Sequence, residues 1–248
     1  MDDQLHILRV DNKQLSYKTK RALLDLIRTS SQDNAPFKLP NEDELSRRLG
    51  ISRNVLRDAL ASLEEMGVVT RRRGKGTIAN PQLANTAFRL DTAPELFRSM
   101  EEAGYHPRIE SLNLGFVFQN DPAFGPDSTS YLNTEKLGWI DGVVAAYCTD
   151  HIDGRFAEAA RDSIFKLQNM GHYQFLEQYC HTTMAYTLSH IDAVIPPPAV
   201  IELMHLSEHE PVLLMDDYVY NYDHEIVAHS TIYFRSGFLD LKFLRKNW

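Results

Sequence analysis

The stretch from Leu39 to Ala79, LPNEDELSRRLGISRNVLRDALASLEEMGVVTRRRGKGTIA, constrains this chain more than any other. Its pattern predicts two short helices joined by a tight turn. Asn41 suits an N-cap, and Glu44, three residues on, suits the return half of a capping box. The first helix runs from about Glu42 to Leu49, with Leu45 and Leu49 on one apolar stripe. Gly50 ends it, Ile51 fills the turn, and Ser52 caps a second helix from Arg53 to about Met66. That helix is apolar along Val55, Leu56, Ala59, Leu60, Leu63 and Met66. Gly67 suits a left-handed cap, and Val68-Val69-Thr70 is β-prone. Arg71-Arg72-Arg73-Gly74-Lys75-Gly76 then makes a basic turn before the return strand Thr77-Ile78-Ala79. Two helices about so short a turn form a helix-turn-helix, whose second helix lies in the DNA major groove, and the hairpin after it is a wing.

Side-chain chemistry agrees with that placement. Arg53 and Arg57 stand four apart, so they project from one face near the start of the second helix. An arginine fork matches guanine O6 and N7, and each such pair discriminates by roughly 1–3 kcal/mol. Arg71, Arg72, Arg73 and Lys75 are placed to neutralise phosphate, which supplies affinity without reading sequence. On an isolated helix, Arg53 and Arg57 would instead be read as surface ion pairs with Asp58 or Glu64. The adjoining wing changes that balance.

LPNEDEL, GISRNVLRDALASLEEMGVV and RRRGKGT resemble the three blocks of the DNA-binding domain of the GntR family of bacterial transcription regulators. The likeness spans roughly residues 15–79. It implies that Arg53 and Arg57 read bases, that Asn54 and Val55 flank them, and that Gly76 is the wing-tip glycine, with Gly74 and Thr77 beside it. The family usually has arginine where this chain has Asp43. An acid cannot donate to guanine or phosphate, so one usual DNA contact is lost, which bears on operator choice.

The net charge of −8 first argues against nucleic acid, but its distribution answers that. Residues 1–80 hold 15 Lys and Arg against 11 Asp and Glu, whereas residues 81–248 hold 11 against 23. The basic charge lies where DNA contact needs it, and the acidic remainder repels DNA. At 248 residues the chain suits two domains. No run approaches the length of a membrane helix, the first residues (MDDQLHILRV) lack a secretory pattern, and two cysteines make no disulfide framework. A cytoplasmic location without membrane attachment is expected.

We divide the chain at 1–80, a winged helix-turn-helix opening with a helix over Leu15–Ser30 and a polar loop to Pro36; 81–91, a linker entered through Asn80-Pro81; and 92–248. In the last part, Pro94–Ala103 reads as a helix and Arg108–Phe118 as a strand. The clearest hairpin is Glu135–Ile140, Asp141-Gly142, Val143–His151. Phe156–Leu167 and Tyr173–Cys180 read as helical and Thr182–Ile191 as a strand. Ala199–Leu206 reads as a helix, and Val212–Tyr222 with Ile226–Phe234 as a second hairpin. The expected fold class is therefore a mainly α winged helix-turn-helix with a small β wing, followed by an α+β domain.

LFRSMEEAGYHP, TEKLGWIDGVVAAYCTDHI, YQFLEQY and PVLLMDDYVYNYDHEIVAHSTIYFR resemble the UTRA effector-binding domain of HutC-type GntR regulators, an antiparallel sheet with helices shared with chorismate lyase. The resemblance implies a homodimer whose second domain binds a small metabolite and thereby alters affinity for a two-fold DNA operator. Sugar-phosphate-sensing relatives carry two arginines in the strand before the Asp-Gly turn, where this chain has Lys136 and Gly138. Their glutamates after that turn and in the final hairpin are matched by Cys148 and Ala228. A bidentate phosphate grip is thus half missing. Trp139, Tyr147, Asp150 and His151, with Asp216, Asp217, Tyr218 and Tyr220, suit a cationic or amine-bearing ligand. We take Lys136, Trp139, Tyr147, Cys148, Asp150, Asp217, Tyr218, Tyr220, Ala228 and Ser230 as the candidate effector site.

Nine of ten histidines follow residue 80, yet their spacings (His181/His190, His205/His209, His224/His229) supply no convergent metal set. Cys180-His181 is no catalytic pair, since sequence neighbours on a strand face opposite ways. No catalytic residue, metal or cofactor is expected. The expected activity is that of a DNA-binding transcription regulator, a repressor under metabolite control. The alternatives are a helix-turn-helix fused to a chorismate lyase-like enzyme, or a second domain that only dimerises; fold likeness alone does not confer chemistry.

Overall fold

A computed structural model describes residues 12–30, 33–86, 89–91, 97, 100–101, 104–238 and 241–245. The chain divides into two compact units, Met1–Thr86 with Phe243–Trp248, and Ala87–Lys242.

The first unit holds helices α1 (Asn12–Thr29), α2 (Glu42–Leu49) and α3 (Arg53–Glu65), and a sheet ordered β1-β3-β2 from Phe37–Lys38, Gly76–Ala79 and Val69–Arg72. Local chemistry sets each boundary. The Asn41 side chain accepts from the Glu44 amide at 2.9 Å, and Ser52 accepts from the Val55 amide at 3.3 Å. The Glu44 carboxylate turns to Arg48 rather than back to Asn41, so the capping box is half made. Gly50 has φ 66°, the left-handed value that closes α2. Gly67, φ 74°, donates to Glu64 O and the Val68 amide reaches Leu63 O, a Schellman closure of α3. Leu23, Ile27, Leu45, Leu56, Leu60 and Leu63 form a dry core with Val68, Val69 and Ala79.

Two features were not foreseen. Strand β1, just after the loop expected to end at Pro36, pairs with β3. The expected linker begins as a helical turn, α4 (Pro81–Ala84), capped by Asn80, and Ala84 packs in the first core.

The second unit is built on a six-stranded antiparallel sheet ordered β4-β5-β6-β9-β8-β7. Its strands are β4 (Arg108–Val117), β5 (Tyr131–Ile140), β6 (Val143–Asp153), β7 (Met184–Val194), β8 (Val212–Asn221) and β9 (Ile226–Arg235). Asp141 (φ 50°) and Gly142 (φ 80°) make the expected two-residue turn between β5 and β6. At the β8–β9 turn, the Asn221 side chain accepts from the amides of Asp223 and Glu225 at 3.0 and 2.9 Å.

Both faces of the sheet are used. One carries a helical turn (α5, Gly154–Ala157), a 3-10 run (Glu158–Gln168) and helix α6 (His172–Gln178), packed over Leu132, Ile152, Val219 and Val227. The expected helix Phe156–Leu167 is thus largely 3-10. On the other face, helix α7 (Pro198–Leu203) packs through Val200 over Leu137, Tyr147 and Val212. The helix expected over Pro94–Ala103 lies mostly outside the described residues; Phe97, Met100 and Glu101 within it are helical.

Candidate functional site

In the first unit, Ser52 starts α3 so that Arg53 and Asn54 are exposed, Val55 is half-buried, and Arg57 returns to the same face one turn later. The Arg53 and Arg57 side chains are 61% and 57% exposed, so neither is locked inside the protein. Their partners are not Asp58 or Glu64 but acids of α2: Asp43 accepts from Arg53 Nε at 2.8 Å and Glu42 from Arg57 Nε at 2.7 Å. Exposed pairs of this kind are weak and screened by salt. They orient the two forks without removing them from reach of an anionic partner.

The wing is exposed from Arg71 to Gly76, with Thr77 half-buried. Gly74 and Gly76 have φ 80° and 88°, a backbone other residues rarely adopt. Arg71 is also paired within the domain. Its amide and Nε both bind Glu64 of α3, at 2.9 and 2.7 Å, so it ties the wing to the helix. Among the described residues, no ion pair holds Arg72, Arg73 or Lys75.

The second unit contains a cavity of about 740 Å³. Its sheet wall includes Lys136, Cys148, Asp150, Asp217, Met215 and Ile232, and residues 168–174 close it over the helices. Pleat parity brings the polar groups together: on paired strands, Lys136 faces Cys148 and Asp150 faces Ser230. Asp150 accepts from Ser230 Oγ at 2.7 Å and Thr134 Oγ1 at 3.2 Å, and His172 Nδ1 lies 3.4 Å away. Burial alone would raise its pKa, but His172, Lys136 and the hydrogen bonds from Ser230 and Cys148 outweigh burial and hold the carboxyl below its ordinary value. Asp217 behaves oppositely. Burial pushes its pKa up, with Asp150 and Asp216 adding to the effect, and Oδ1 has no hydrogen-bond partner. His172 Nε2 is likewise buried and unpartnered. Lys136 Nζ donates to Leu167 O at 3.0 Å.

Of the ten residues proposed for this site, Lys136, Cys148, Asp150 and Asp217 line the cavity, and Ser230 supports Asp150. The others do not line this cavity. Trp139, Tyr147 and Tyr218 sit on the opposite face because they differ in parity from Lys136, Cys148 and Asp217, with a β-bulge between Gly138 and Trp139. Trp139 donates to Glu110 at 2.9 Å and Tyr147 to Glu135 at 3.1 Å; Tyr220 stacks on Tyr186 at 4.8 Å. Ala228 is core beneath the helices. Gly138 has a steric reason: a Cβ there would come within 2.5 Å of Phe97, a cavity-lining ring. The cavity-lining residues that sequence reasoning missed include His172, residues 168–171 before it, and Ser189, none of them in a quoted motif.

Neither cysteine is an activated nucleophile. Burial first, then Asp150, raises Cys148 well above its usual range, and burial pushes Cys180 up to about 12.

A second polar cluster occupies the opposite face. His151 Nδ1 and His229 Nδ1 lie 2.6 and 2.9 Å from one carboxylate oxygen of Asp121, and His229 Nε2 lies 2.8 Å from Asp216. None of the histidine pairs considered from spacing is this one. The β6–β9 register sets His151 directly against His229, which no sequence interval reveals.

Comparisons with known proteins agree with both units. The family model for bacterial regulatory proteins of the gntR family matches residues 21–78, and the UTRA domain model matches residues 125–237. The uncharacterized HTH-type transcriptional regulator YcbG of Bacillus subtilis (strain 168) is 38% identical over 86 residues, 35% of this chain and 36% of its own length. The HTH-type transcriptional regulator GgaR of Escherichia coli (strain K12) is 40% identical over 74 residues, 30% of this chain and 29% of its own length. The chain thus matches about a third of the length of these relatives. The histidine utilization repressor of Pseudomonas aeruginosa is 25% identical over 186 residues, 72% of this chain and 70% of its length. Among solved structures, the possible transcriptional regulator YydK from Bacillus subtilis superposes with a TM-score of 0.69 at 12% identity, covering 96% of this chain and 99% of that one. PhnF from Mycobacterium smegmatis gives 0.56 at 18%, covering 91% and 98%. Those two likenesses speak to fold. Among the described residues, no helix is long and apolar enough to cross a membrane. The chain thus combines a GntR-family helix-turn-helix domain with a UTRA domain, the domain pairing of the HutC-like regulators it resembles.

Proposed function

We propose that the chain is a cytoplasmic repressor, a homodimer on a two-fold operator, whose DNA affinity is set by a small metabolite held in the cavity of the second unit. On the DNA side the support is the exposed pair Arg53 and Arg57 beside the cationic wing tip. One helix-turn-helix reads only a half-site, so useful specificity needs two copies. Tyr186, Leu188 and Ile191 on edge strand β7 are 44–51% exposed, an apolar edge suited to a second chain.

The effector reading rests on one observation: Asp217 Oδ1 and His172 Nε2 are buried, unpartnered and both on the cavity wall. Leaving a buried polar group unsatisfied costs about 1–3 kcal/mol, which a ligand bearing complementary donors and acceptors recovers. With a lone lysine at Lys136, bonded to Leu167 O, and no second cation at Gly138, the wall lacks a bidentate phosphate grip and favours an uncharged or amine-bearing metabolite over a phosphosugar.

A ligand controls DNA only if it binds two states of the dimer with different affinity. The test is operator binding by fluorescence anisotropy across a panel of small amines, amino acids and their catabolites, for the wild type and Asp217→Asn. At least one compound is expected to shift operator affinity fivefold or more, with the shift lost in the variant. Equal responses of the two proteins would remove Asp217 from the effector site.

A further inference from the structure

We propose that Asp121, His151 and His229 form a binding site for one divalent transition-metal ion of the zinc type, on the sheet face opposite the cavity. The ligand atoms come from separate parts of the chain. Asp121 precedes the 3-10 turn Pro122–Phe124, and the histidines face each other across β6 and β9. The three donor atoms lie within 4.8 Å of one another. Two imidazoles and a carboxylate are a donor set that zinc and its neighbours accept, with at least one position left for water or another ligand atom.

The surroundings are organised as a metal site requires. Asp121 Oδ1 accepts from the Ala123 amide at 2.9 Å, which leaves Oδ2 as the oxygen presented to both rings. His229 uses Nε2 on Asp216, so its Nδ1 is the metal-facing nitrogen, an outer carboxylate behind a ligating imidazole. Tyr131 stacks on His151 at 4.1 Å and Tyr218 on His229 at 4.9 Å, which restrains both rings. Opposite His151 on β5, Asn133 has a buried amide oxygen without a hydrogen-bond partner, a further oxygen on the same face. The histidine side chains are 25% and 17% exposed, enough for an ion to enter. Metal–ligand bonds near 2.0–2.2 Å place tetrahedral donors about 3.4 Å apart. The rings therefore retreat less than an ångström from their present contacts with Asp121.

The inference is independent of the effector reading, since the two sites share no residue. It is tested by titrating the full-length, tag-free, chelator-stripped protein with Zn²⁺ against a chromophoric chelator, and with Co²⁺ for its visible spectrum. The expected result is one Zn²⁺ per chain, a low-symmetry Co²⁺ spectrum, and loss of both in His151→Ala and His229→Ala. His205→Ala, on a ring that neighbours Trp139, leaves binding unchanged. Asp216→Asn, which spares all three ligands, weakens binding roughly ten- to a hundredfold at unchanged stoichiometry. Wild-type binding no tighter than that of His151→Ala and His229→Ala overturns the site. Should those two variants fail to fold, undiminished affinity in Asp216→Asn overturns it instead.

Discussion

In the first unit the arginines that matter stand in water, each loosely held by an acid of the neighbouring helix; in the second, Asp150, Lys136 and His172 are withdrawn into the interior around a cavity. The same kinds of side chain do different work under these two conditions. An exposed guanidinium exchanges one anion for another at little cost, so it is available to DNA. A buried carboxylate must be matched on every side, and the unpartnered atoms of Asp217 and His172 are where the proposed ligand would bind. In the proposed function, DNA is read through surface charge and a metabolite is held through incomplete burial.

The sharpest way to break this comparison is to remove a buried charge. Asp150→Ala strands Lys136 and His172 and should cost about 3–5 kcal/mol, measured by urea unfolding of the second-unit transition. The pH dependence has a defined sign. Asp150 is held below its ordinary value in the fold, so its contribution is present above pH 4 and is lost as pH falls through the folded value; in Asp150→Asn, that part of acid unfolding should disappear. On the exposed side, Arg73→Ala should weaken operator and random DNA alike and reduce the salt dependence by about one counterion. Asp43→Ala, which frees Arg53, should change stability by less than about 0.5 kcal/mol in thermal melts. A large loss there would mean that the Arg53 pair is structural and that the contrast between the units is overdrawn.

The two units were also unequally legible. Helices α2 and α3 were readable to within a residue because Asn41, Gly50, Ser52 and Gly67 act on backbone a few positions away. The two-residue β1 escaped because it exists only through its pairing with β3. In the second unit the Asp-Gly hairpin was local and legible, whereas the site was not. Its residues come from strands and helices whose register no interval in the sequence fixes. Mixing Tyr147 with Cys148, and Tyr218 with Asp217, ignored the alternation that sends neighbours to opposite faces. Trp139, an odd step from Lys136 on the same strand, falls to the opposite face by the same alternation. His229 joins Asp121, 108 residues away, by the same long-range logic.

The central claim is that α3 reads DNA through Arg53 and Arg57. It is tested most directly by anisotropy titrations of the wild type, Arg53→Ala and Arg57→Ala on operator and random duplexes at fixed salt. Each variant should keep the wild-type circular dichroism spectrum and lose about tenfold or more in the ratio of operator to random affinity. An unchanged ratio in both variants would contradict the account.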